Sequence, residues 1–386
     1  MRILRIVRSV EDVGGGPINW VLNSSKLLSR MGHTVEAVTL DAPGKICYED
    51  FPFKIYAMGQ AFGKYGYAPK YVSWLKKHAS DYDVILIHGL WQYSGFGAWL
   101  ALRNTGMPYY VQTHGMLAPW FKKNFPLKHI KKMLYWLLVE HRVLRDAKSV
   151  FFTSEEERVS ARNQFWPYRF RQKVINYGTS LPPQDKANKK NVFLNKFPEL
   201  RDKELILFLG RIHPKKGCDI LIEAFCHAAI NRRALHLVMA GPDEIGWRNK
   251  LEKMTAKAGM SKRVTWTGML SGDLKWGAFY ASDAFILPSH HENFGIAVAE
   301  ALACGSAVLI SDKVNTWKEI ESDGAGIVAP DDKAGTEKLL DKWICLSDNE
   351  KAAMRDSAKR CFLQRFEIDK ATQGLIDIFN DRAEAR

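Results

Sequence analysis

Short apolar segments alternate with segments of helical pattern along the first half of the chain, and the alternation restarts after residue 203. Nearly continuous apolar strands are typical of parallel sheets buried on both faces, and their alternation with helices indicates β/α units. The pattern predicts an α/β protein with two doubly wound domains and a cleft between them, where ligands bind at the carboxyl ends of strands. The predicted strands are residues 3–8, 34–40, 84–88, 109–113, 148–153, 173–177, 205–209, 235–240, 264–267, 284–287 and 307–311.

A polar segment rich in Lys and Asn separates the two series of strands. The chain of 386 residues is long enough for two cores. We expect an N-terminal domain at residues 1–185, a linker at 186–203 and a C-terminal domain at 204–365. Residues 366–386 contain a further predicted helix, whose apolar residues recur near helical spacing and suit packing on either domain.

Positive charge is concentrated in the first half of the chain. Residues 1–186 contain 26 Lys and Arg against 14 Asp and Glu, whereas residues 187–386 contain 30 against 28. The densest patch, residues 120–137, mixes Lys with aromatic residues, as helices at membrane surfaces do; the alternative is a solvated helix face whose Leu and Trp residues point into the core. We expect an anionic membrane surface as a partner, and no nucleic acid, because no nucleic-acid-binding motif accompanies the charge.

Composition limits the compartment and the class of protein. The chain is 46% hydrophobic and 25% charged, which is typical of a globular protein. It has no apolar stretch long enough to cross a membrane, and its beginning lacks the apolar core of a signal peptide. The six cysteines are scattered without a Cys-x-x-Cys pair, which favours reduced thiols and argues against a zinc site. We expect a cytoplasmic protein, peripheral on the inner face of the cell membrane.

Two acidic residues, Glu292 and Glu300, lie in a segment that begins with a predicted strand at 284–287 and continues as an apolar helix from about Phe294 to Gly305. Glu292 precedes the helix, where backbone amides are free donors, and Glu300 lies inside it, where a carboxylate is costly to bury without a partner. Carboxylates beside such donors suit sugar or ribose hydroxyls. The alternative is a helix-start carboxylate and a helix-face charge.

Basic residues follow another predicted strand, in Gly210-Arg-Ile-His-Pro-Lys-Lys-Gly217. Arg211, Lys215 and Lys216 would meet a ligand beside a helix N-terminus, where Arg binds phosphate oxygens bidentately and Lys adds a point charge. The loop lacks the Walker pattern. It suits a diphosphate, and the alternative is that it is merely a basic connection between a strand and a helix. In the first half, the glycine run at 14–16 precedes a helix, and His88 and His114 each end a strand. Alone, each of these is weak.

Together these motifs resemble the retaining GT-B glycosyltransferases of glycosyltransferase family 4, the group 1 glycosyl transferases. The resemblance rests on Glu292-x7-Glu300 between Leu-Pro-Ser and Ala-Leu-Ala-Cys-Gly, and on Gly210-Arg-x4-Lys-Gly217. It implies a GT-B architecture, with two Rossmann-like domains facing an interdomain cleft and a final helix returning to the N-terminal domain. One departure is Asn176-Tyr-Gly-Thr179, where the family often has Asn-Gly, and we assign that loop no role.

The resemblance also implies roles. Arg211 and Lys216, with Gly210, would hold the donor diphosphate. Glu300 would bind the ribose. The transferred sugar would meet Glu292, His114 and the backbone amides of Asn293, Phe294 and Gly295. Gly15 and Gly16 would approach the phosphates or the acceptor.

The implied reaction is transfer of a hexose from a nucleoside-diphosphate sugar, with retention at the anomeric carbon and with neither metal nor other cofactor. The expected acceptor is a saccharide linked to polyprenyl diphosphate, in bacterial polysaccharide or lipopolysaccharide assembly. The alternatives are a soluble acceptor and a sugar-nucleotide-binding subunit without catalysis.

Overall fold

The computed structural model describes residues 1–11, 16–44, 51–119, 122 and 126–381. The chain divides into two compact units. The first comprises Met1–Gly178 together with Ile368–Arg386, and the second comprises Thr179–Glu367. Within the described ranges, each unit contains a parallel sheet flanked by helices.

The strands of the first unit are β1 (Arg2–Val7), β2 (Thr34–Thr39), β3 (Lys54–Ala57), β4 (Val84–His88), β5 (Tyr109–Gln112), β6 (Ser149–Phe152) and β7 (Gln172–Val174). They pair in the order β3-β2-β1-β4-β5-β6-β7, so the chain changes direction across the sheet between β1 and β4. Ligands of such sheets bind at the carboxyl ends of the strands that flank this point. The helices are α1 (Gly16–Arg30), α2 (Pro69–His78), α3 (Tyr93–Leu102), α4 (Pro126–Tyr135), α5 (His141–Asp146) and α6 (Glu155–Ala161).

The second unit contains β8 (Glu204–Leu209), β9 (Leu235–Ala240), β10 (Val264–Gly268), β11 (Ala284–Leu287), β12 (Ala307–Ser311) and β13 (Gly326–Ala329). Their order, β10-β9-β8-β11-β12-β13, puts the change of direction between β8 and β11. The helices are α7 (Lys186–Lys196), α8 (Cys218–Ala228), α9 (Trp247–Lys257), α10 (Gly272–Ala281), α11 (Ile296–Ala303), α12 (Trp317–Ser322), α13 (Lys333–Cys345) and α14 (Asp348–Cys361). The two segments with the most informative sequence motifs therefore follow adjacent strands.

The apolar segments predicted the strands well. Every predicted strand is present, with small shifts at the ends, but β3 and β13 were not predicted. Both are the outermost strands of their sheets, and β3 is only half-buried. An outer strand lacks the continuous apolar run that marks a strand covered on both faces, so the pattern is weak there.

The prediction of a linker at 186–203 was wrong. Residues 186–196 form α7, whose first turn is capped by the Asp185 carboxylate accepting from the Asn188 amide. Phe193 is fully buried, and α7 packs so closely on α10 that a Cβ on Gly277 would lie 2.2 Å from the carbonyl oxygen of Lys189. The helix was missed because its exposed face is almost entirely polar, which is also typical of linkers.

The two faces of the first sheet differ in polarity. On the face toward α2, α3 and α5, side chains such as Leu4, Ile87 and Val111 form an apolar core. Because side chains alternate along a strand, Arg5, His88 and Gln112 point to the other face. That face is covered by α1 and by the last helix, α15 (Ile368–Asn380), which belongs to the first unit.

Candidate functional site

The basic loop after β8 is bonded to the loop after β11. The Lys215 carbonyl accepts from the His290 amide at 2.9 Å and from the Ser289 hydroxyl at 3.0 Å. Gly217 has φ of +68°, and a Cβ there would lie 2.1 Å from the carbonyl oxygen of Pro288. Only glycine fits this close approach without backbone rearrangement. The two loops therefore form one structural element at the change of direction in the second sheet.

Lys216 and Glu292 form an ion pair across these loops, between the lysine Nζ and the glutamate Oε2. Their side chains are only 16% and 20% exposed. Burial alone raises the pKa of Glu292, but the charge of Lys216, its hydrogen bond and the charge of Lys215 outweigh burial, so the pKa is lowered. The Glu292 backbone is held by the Lys313 carbonyl at 2.9 Å and the Asn315 amide at 3.0 Å. An ionised carboxylate and a cation are thus fixed side by side.

Two neighbours of this pair have lowered pKa values. Burial, assisted by the nearby charges of Lys216 and Arg211, lowers the pKa of Lys215 to about 8. Burial and the charge of Lys215 lower the pKa of His291 to about 4. At neutral pH, Lys215 is therefore mostly charged and His291 is neutral.

Arg211 lies on the same loop but in a different environment. Its side chain is 58% exposed, and its Nη1 is 3.5 Å from Oε2 of Glu244, which follows β9. The Gly210 amide donates to the Ala240 carbonyl at 2.9 Å, and a Cβ on Gly241 would lie 1.8 Å from the Gly210 carbonyl oxygen. The loop after β8 is thus packed between the loops after β9 and β11, with Arg211 on its exposed side.

The turn from Glu292 into α11 is compact. Gly295, immediately before α11, has φ of +74°, and the Asn293 amide donates to Oε1 of Glu292 at 3.2 Å. The Asn293 side chain accepts from Asn315 at 3.2 Å, while the Phe294 ring is buried against Phe366. The Glu292 carboxylate therefore already bonds one of the amides that the sequence assigns to the sugar.

Glu300 is buried in α11 and has a partner on α10. Nζ of Lys275 is 2.7 Å from Oε1 of Glu300, and the same ammonium lies 4.3 Å from the centre of the Trp276 ring. Burial raises the pKa of Glu300, and Lys275 opposes this rise. The predicted ribose role requires the carboxylate to bond a hydroxyl in addition to Lys275, or in its place.

In the first unit, His114 lies in a strained turn after β5, with φ of +51°. Its Nδ1 is hydrogen-bonded to the Tyr177 hydroxyl, and its Nε2 is 3.0 Å from Nδ1 of His88. Tyr177 stacks on Trp20 of α1, with ring centres 4.7 Å apart. Tyr177, which the sequence left without a role, is therefore in direct contact with a predicted site residue.

Glu157 is a buried residue of this turn that the sequence reasoning missed. Its Oε1 accepts from the Thr113 hydroxyl at 2.6 Å and the Gly115 amide at 2.7 Å. Its Oε2 accepts from the amide of Thr153 at 2.7 Å and from its hydroxyl at 2.8 Å. The available signal was Ser154, three residues earlier, whose hydroxyl caps the Glu157 amide at 3.1 Å. Glu157 thus links the turns after β5 and β6, and it bonds the two residues that flank His114.

Two further site predictions concern the glycine run and a metal. Gly15 lies outside the described residues, and Gly16 is the first residue of α1. Among the described residues, no group of three or more His, Cys, Asp or Glu side chains suits a metal ion. An Asp-x-Asp sequence is present at Asp81–Asp83, but Asp81 pairs with His78, and Asp83 accepts from the Arg2 amide at 2.7 Å. The absence of a metal requirement stays a prediction.

The basic, aromatic segment 120–137 is described at Lys122 and from residue 126 onward. A stripe of aliphatic side chains on α4 and the π-helical turn after it (Trp136–Glu140) is exposed, with Leu127 reaching 81%. Lys128 and Lys131 are also exposed, whereas Trp136 is fully buried. The alternative, in which the Leu and Trp residues of this segment point into the core, thus holds for Trp136 but not for the stripe. None of the described helices is long and apolar enough to span a membrane. The exposed stripe consists of Leu127, Ile130, Leu134, Leu137 and Leu138.

The fold is that of known GT-B proteins. Sucrose-phosphate synthase from Thermosynechococcus elongatus superimposes with a TM-score of 0.79 at 19% identity, over all of both chains. Anabaena HepE, in complex with UDP and glucose, gives a TM-score of 0.77 at 18% identity, over 99% of this chain and all of HepE. The protein therefore has the GT-B α/β fold with two Rossmann-like domains.

Family models match both units. The model for glycosyl transferases group 1 matches residues 190–361, and that for a glycosyl transferase 4-like domain matches residues 15–178. The chain belongs to the group 1 glycosyltransferase family.

Two curated relatives match this chain at 24% and 25% identity. An uncharacterized glycosyltransferase of Methanocaldococcus jannaschii is 24% identical over 63% of this chain and 59% of its own length. D-inositol 3-phosphate glycosyltransferase of Salinispora tropica is 25% identical over 78% of this chain and 64% of its own length. The chain thus spans less than two thirds of the length of these two relatives.

Proposed function

We propose that the protein transfers a hexose from a nucleoside-diphosphate sugar to a hydroxyl group of a saccharide acceptor, with retention at the anomeric carbon. The observation that carries the proposal is the fixed Lys216–Glu292 pair on the two bonded loops after β8 and β11. Its position at the carboxyl ends of adjacent strands is where nucleotides bind in such sheets. Family membership and the UDP and glucose bound to HepE support the same donor class.

Each side chain has a role that fits its surroundings. Lys216 and Lys215 neutralise the charge that develops on the leaving diphosphate, and exposed Arg211 turns from Glu244 to the phosphates. Preorganised cations of this kind stabilise a transition state because they need no reorganisation during reaction. Glu292 accepts from sugar hydroxyls, and Glu300 from the ribose. The departing phosphate takes the proton of the attacking hydroxyl. Because the lysine and arginine charges neutralise the diphosphate, the proposed reaction needs no divalent metal or other cofactor.

A catalyst and a non-catalytic sugar-nucleotide-binding subunit make different predictions. Purified protein is incubated with UDP-, GDP- and ADP-sugars, and release of nucleoside diphosphate is measured with and without saccharide acceptors. A transferase releases diphosphate, and NMR of the product identifies the retained anomeric configuration. Donor binding without any release supports the non-catalytic alternative, and an inverted product contradicts the retaining mechanism.

Chelation is expected to leave activity unchanged. After EDTA treatment and buffer exchange, the rate should stay within about twofold of the untreated rate, because lysine charges replace a metal at the diphosphate. Asp81→Asn and Asp83→Asn are expected to behave like the wild type. Complete loss of activity that only Mg²⁺ or Mn²⁺ restores contradicts the metal-free mechanism.

The KM for the donor is expected to rise above about pH 8, by up to tenfold per pH unit, as Lys215 loses its proton. The sign follows from the lowered pKa: the ammonium that attracts phosphate is present below pH 8 and lost above it. The measurement is donor KM from pH 6.5 to 9.5. Lys215→Arg keeps its charge throughout and should give a flat profile. Identical profiles for this variant and the wild type contradict the role of Lys215.

A lipid-linked acceptor, such as a polyprenyl-diphosphate saccharide in bacterial polysaccharide or lipopolysaccharide assembly, fits the surface of α4. Five exposed aliphatic side chains beside Lys128 and Lys131 resemble an amphipathic helix lying at an anionic membrane surface. The proposal therefore includes a protein that is peripheral on the membrane and acts at its cytoplasmic face, and the exposed side chains of this surface support it. A soluble acceptor is the second candidate, and a failure to bind membranes favours it.

Vesicle binding tests this surface directly. Replacing Leu127 and Leu134 by serine is expected to weaken binding to anionic vesicles by about 100-fold, at about 1.5 kcal/mol for each leucine. Flotation with phosphatidylglycerol vesicles measures the change. Ile230→Ser is the matched control, because Ile230 is an exposed aliphatic residue of the second unit. Equal binding of the double variant and the wild type contradicts the proposed surface.

A further inference from the structure

A buried cation lies beneath α1 in the first unit. Arg5, in the middle of β1, is fully buried, and its Nη2 donates to the Ser24 hydroxyl at 2.9 Å. Its Nε and Nη1 have no hydrogen-bond partner among the described residues, and no described carboxylate pairs with it. Burial lowers the pKa of Arg5 only to about 10, so the guanidinium stays charged at neutral pH. A buried charge of this kind must find compensation from polar neighbours.

His88 is one such neighbour. The register pairs Arg5 with Leu86 of β4, and His88 lies two residues further on the same face of the sheet. Nδ1 of His88 is 3.0 Å from Nε2 of His114, whereas its own Nε2 is buried and lacks a hydrogen-bond partner within the described part of the chain. Burial and then the charge of Arg5 lower the pKa of both histidines, to about 3 for His114, so both rings are neutral.

Two directions of hydrogen bonding are open to this chain of groups, because each neutral imidazole has one donor and one acceptor nitrogen. In the first, the Tyr177 hydroxyl donates to His114, and His114 donates to His88. Nε2 of His88 then carries a buried proton that has no acceptor among the described residues and lies in the field of the Arg5 cation. In the second, His88 donates to His114 and His114 donates to Tyr177. Nε2 of His88 is then unprotonated, and its lone pair lies in the field of the Arg5 cation.

We propose that Arg5 selects the second direction, so that His114 is held as the neutral Nδ1–H tautomer between His88 and Tyr177. The reasons are that an unsatisfied buried N–H is costly and that a cation attracts a lone pair and repels a proton. Arg5, His88 and Tyr177 are then positioning residues for His114. Tyr177 completes the chain through a hydroxyl that is held in place by stacking on Trp20.

The consequence for ligand binding rests on the proposed function. In this tautomer, Nε2 of His114 is an acceptor. A sugar hydroxyl that reaches the ring must therefore donate to His114, taking the place of His88, and cannot accept from it. A donor sugar in which that hydroxyl is replaced by fluorine, which cannot donate, loses the contact.

NMR of the full-length protein labelled with ¹⁵N-histidine tests the proposal without reference to activity. Long-range ¹H–¹⁵N spectra distinguish protonated from unprotonated ring nitrogens, and His88→Gln and His114→Gln assign the signals. We expect a protonated Nδ1 and an unprotonated Nε2 on both rings at pH 7. A protonated Nε2 on His114, or a doubly protonated ring, overturns the proposal, whether or not the protein proves to be a transferase.

Variants test the cause. Arg5→Met is expected to shift the tautomer population of His114 at least tenfold toward Nε2–H, whereas Arg2→Met, at the exposed start of β1, changes nothing. If Arg5→Met does not fold, Arg5→Lys, which retains the charge, is expected to keep the wild-type tautomer. An unchanged spectrum in Arg5→Met, or a reversed tautomer in Arg5→Lys, overturns the role of Arg5.

Tyr177→Phe retains the ring and removes the oxygen that accepts from His114. It is expected to change the Nδ1 signal of His114 and to raise donor KM about tenfold. Tyr168→Phe is the matched control, because its hydroxyl has no hydrogen-bond partner among the described residues. An unchanged Nδ1 signal in Tyr177→Phe overturns the contact. If the signal changes in a protein that turns over no donor, the proposed tautomer is supported and the proposed function is contradicted.

Discussion

Lys216→Ala is expected to lower kcat/KM for the donor by about 100-fold to 1,000-fold, which corresponds to about 3–4 kcal/mol of transition-state stabilisation. The variant removes the ammonium nearest the proposed diphosphate. It also leaves the mostly buried Glu292 carboxylate without the partner that lowers its pKa. Steady-state kinetics with saturating acceptor measure the change. If the lysine acts on the transition state, kcat falls more than donor affinity does.

Lys351→Ala is the matched control for this prediction. Lys351 pairs with Glu204 at 3.3 Å, and the two side chains are 14% and 24% exposed, close to the values for Lys216 and Glu292. Glu204 begins β8, at the edge of the sheet opposite the basic loop. The control therefore loses a comparable ion pair, with a comparable effect on stability, but keeps its activity. Near wild-type kcat/KM in Lys216→Ala, or an equal loss in Lys351→Ala, contradicts the assigned role.

Glu157→Ala is expected to destabilise the first unit by about 3–5 kcal/mol, because two backbone amides and two hydroxyls lose their buried acceptor. The thermal midpoint of that unit should fall by about 10 °C. Activity of the folded variant should also fall, since the turn that holds His114 in its left-handed conformation is released. Calorimetry and hydrogen exchange of the Gly115 and Thr153 amides measure these effects.

Glu155→Ala provides the comparison on the same helix. Glu155 is exposed and pairs with Arg158, a surface ion pair that typically contributes less than about 1 kcal/mol. Its replacement should shift the midpoint by no more than about 2 °C. Equal shifts in the two variants indicate that α6 tolerates both changes alike, and they contradict a special role for Glu157.

Much of the fold could be predicted because buried parallel strands leave a strong local signal. β11 is apolar throughout, and β4 is apolar up to its last residue, His88. The signal failed where burial is one-sided. The outer strand β3 and the polar helix α7 are stabilised by packing against elements elsewhere in the sequence. Local composition does not record those neighbours.

The sequence named the residue types of the candidate site but not the pairs that they form. The motifs placed Lys216 and Glu292 on loops that follow two strands, and the sheet order made those strands adjacent. The motifs did not reveal that the two side chains pair with each other, that Arg211 faces outward with Glu244, or that Lys275 bonds Glu300. These contacts depend on side-chain packing across loops.

Periodicity was enough to predict the α/β class and two units, and the motifs named the residues of the proposed sugar-nucleotide site, because burial on both faces and glycine-dependent turns constrain residue type locally. The partners of the charged groups depended on the folded chain. Lys216 and Glu292 are 76 positions apart, and Thr113 and Glu157 are 44 apart. Contacts at such separations are formed by the crossing of strands and loops in three dimensions, and the energy of a buried charge depends on them.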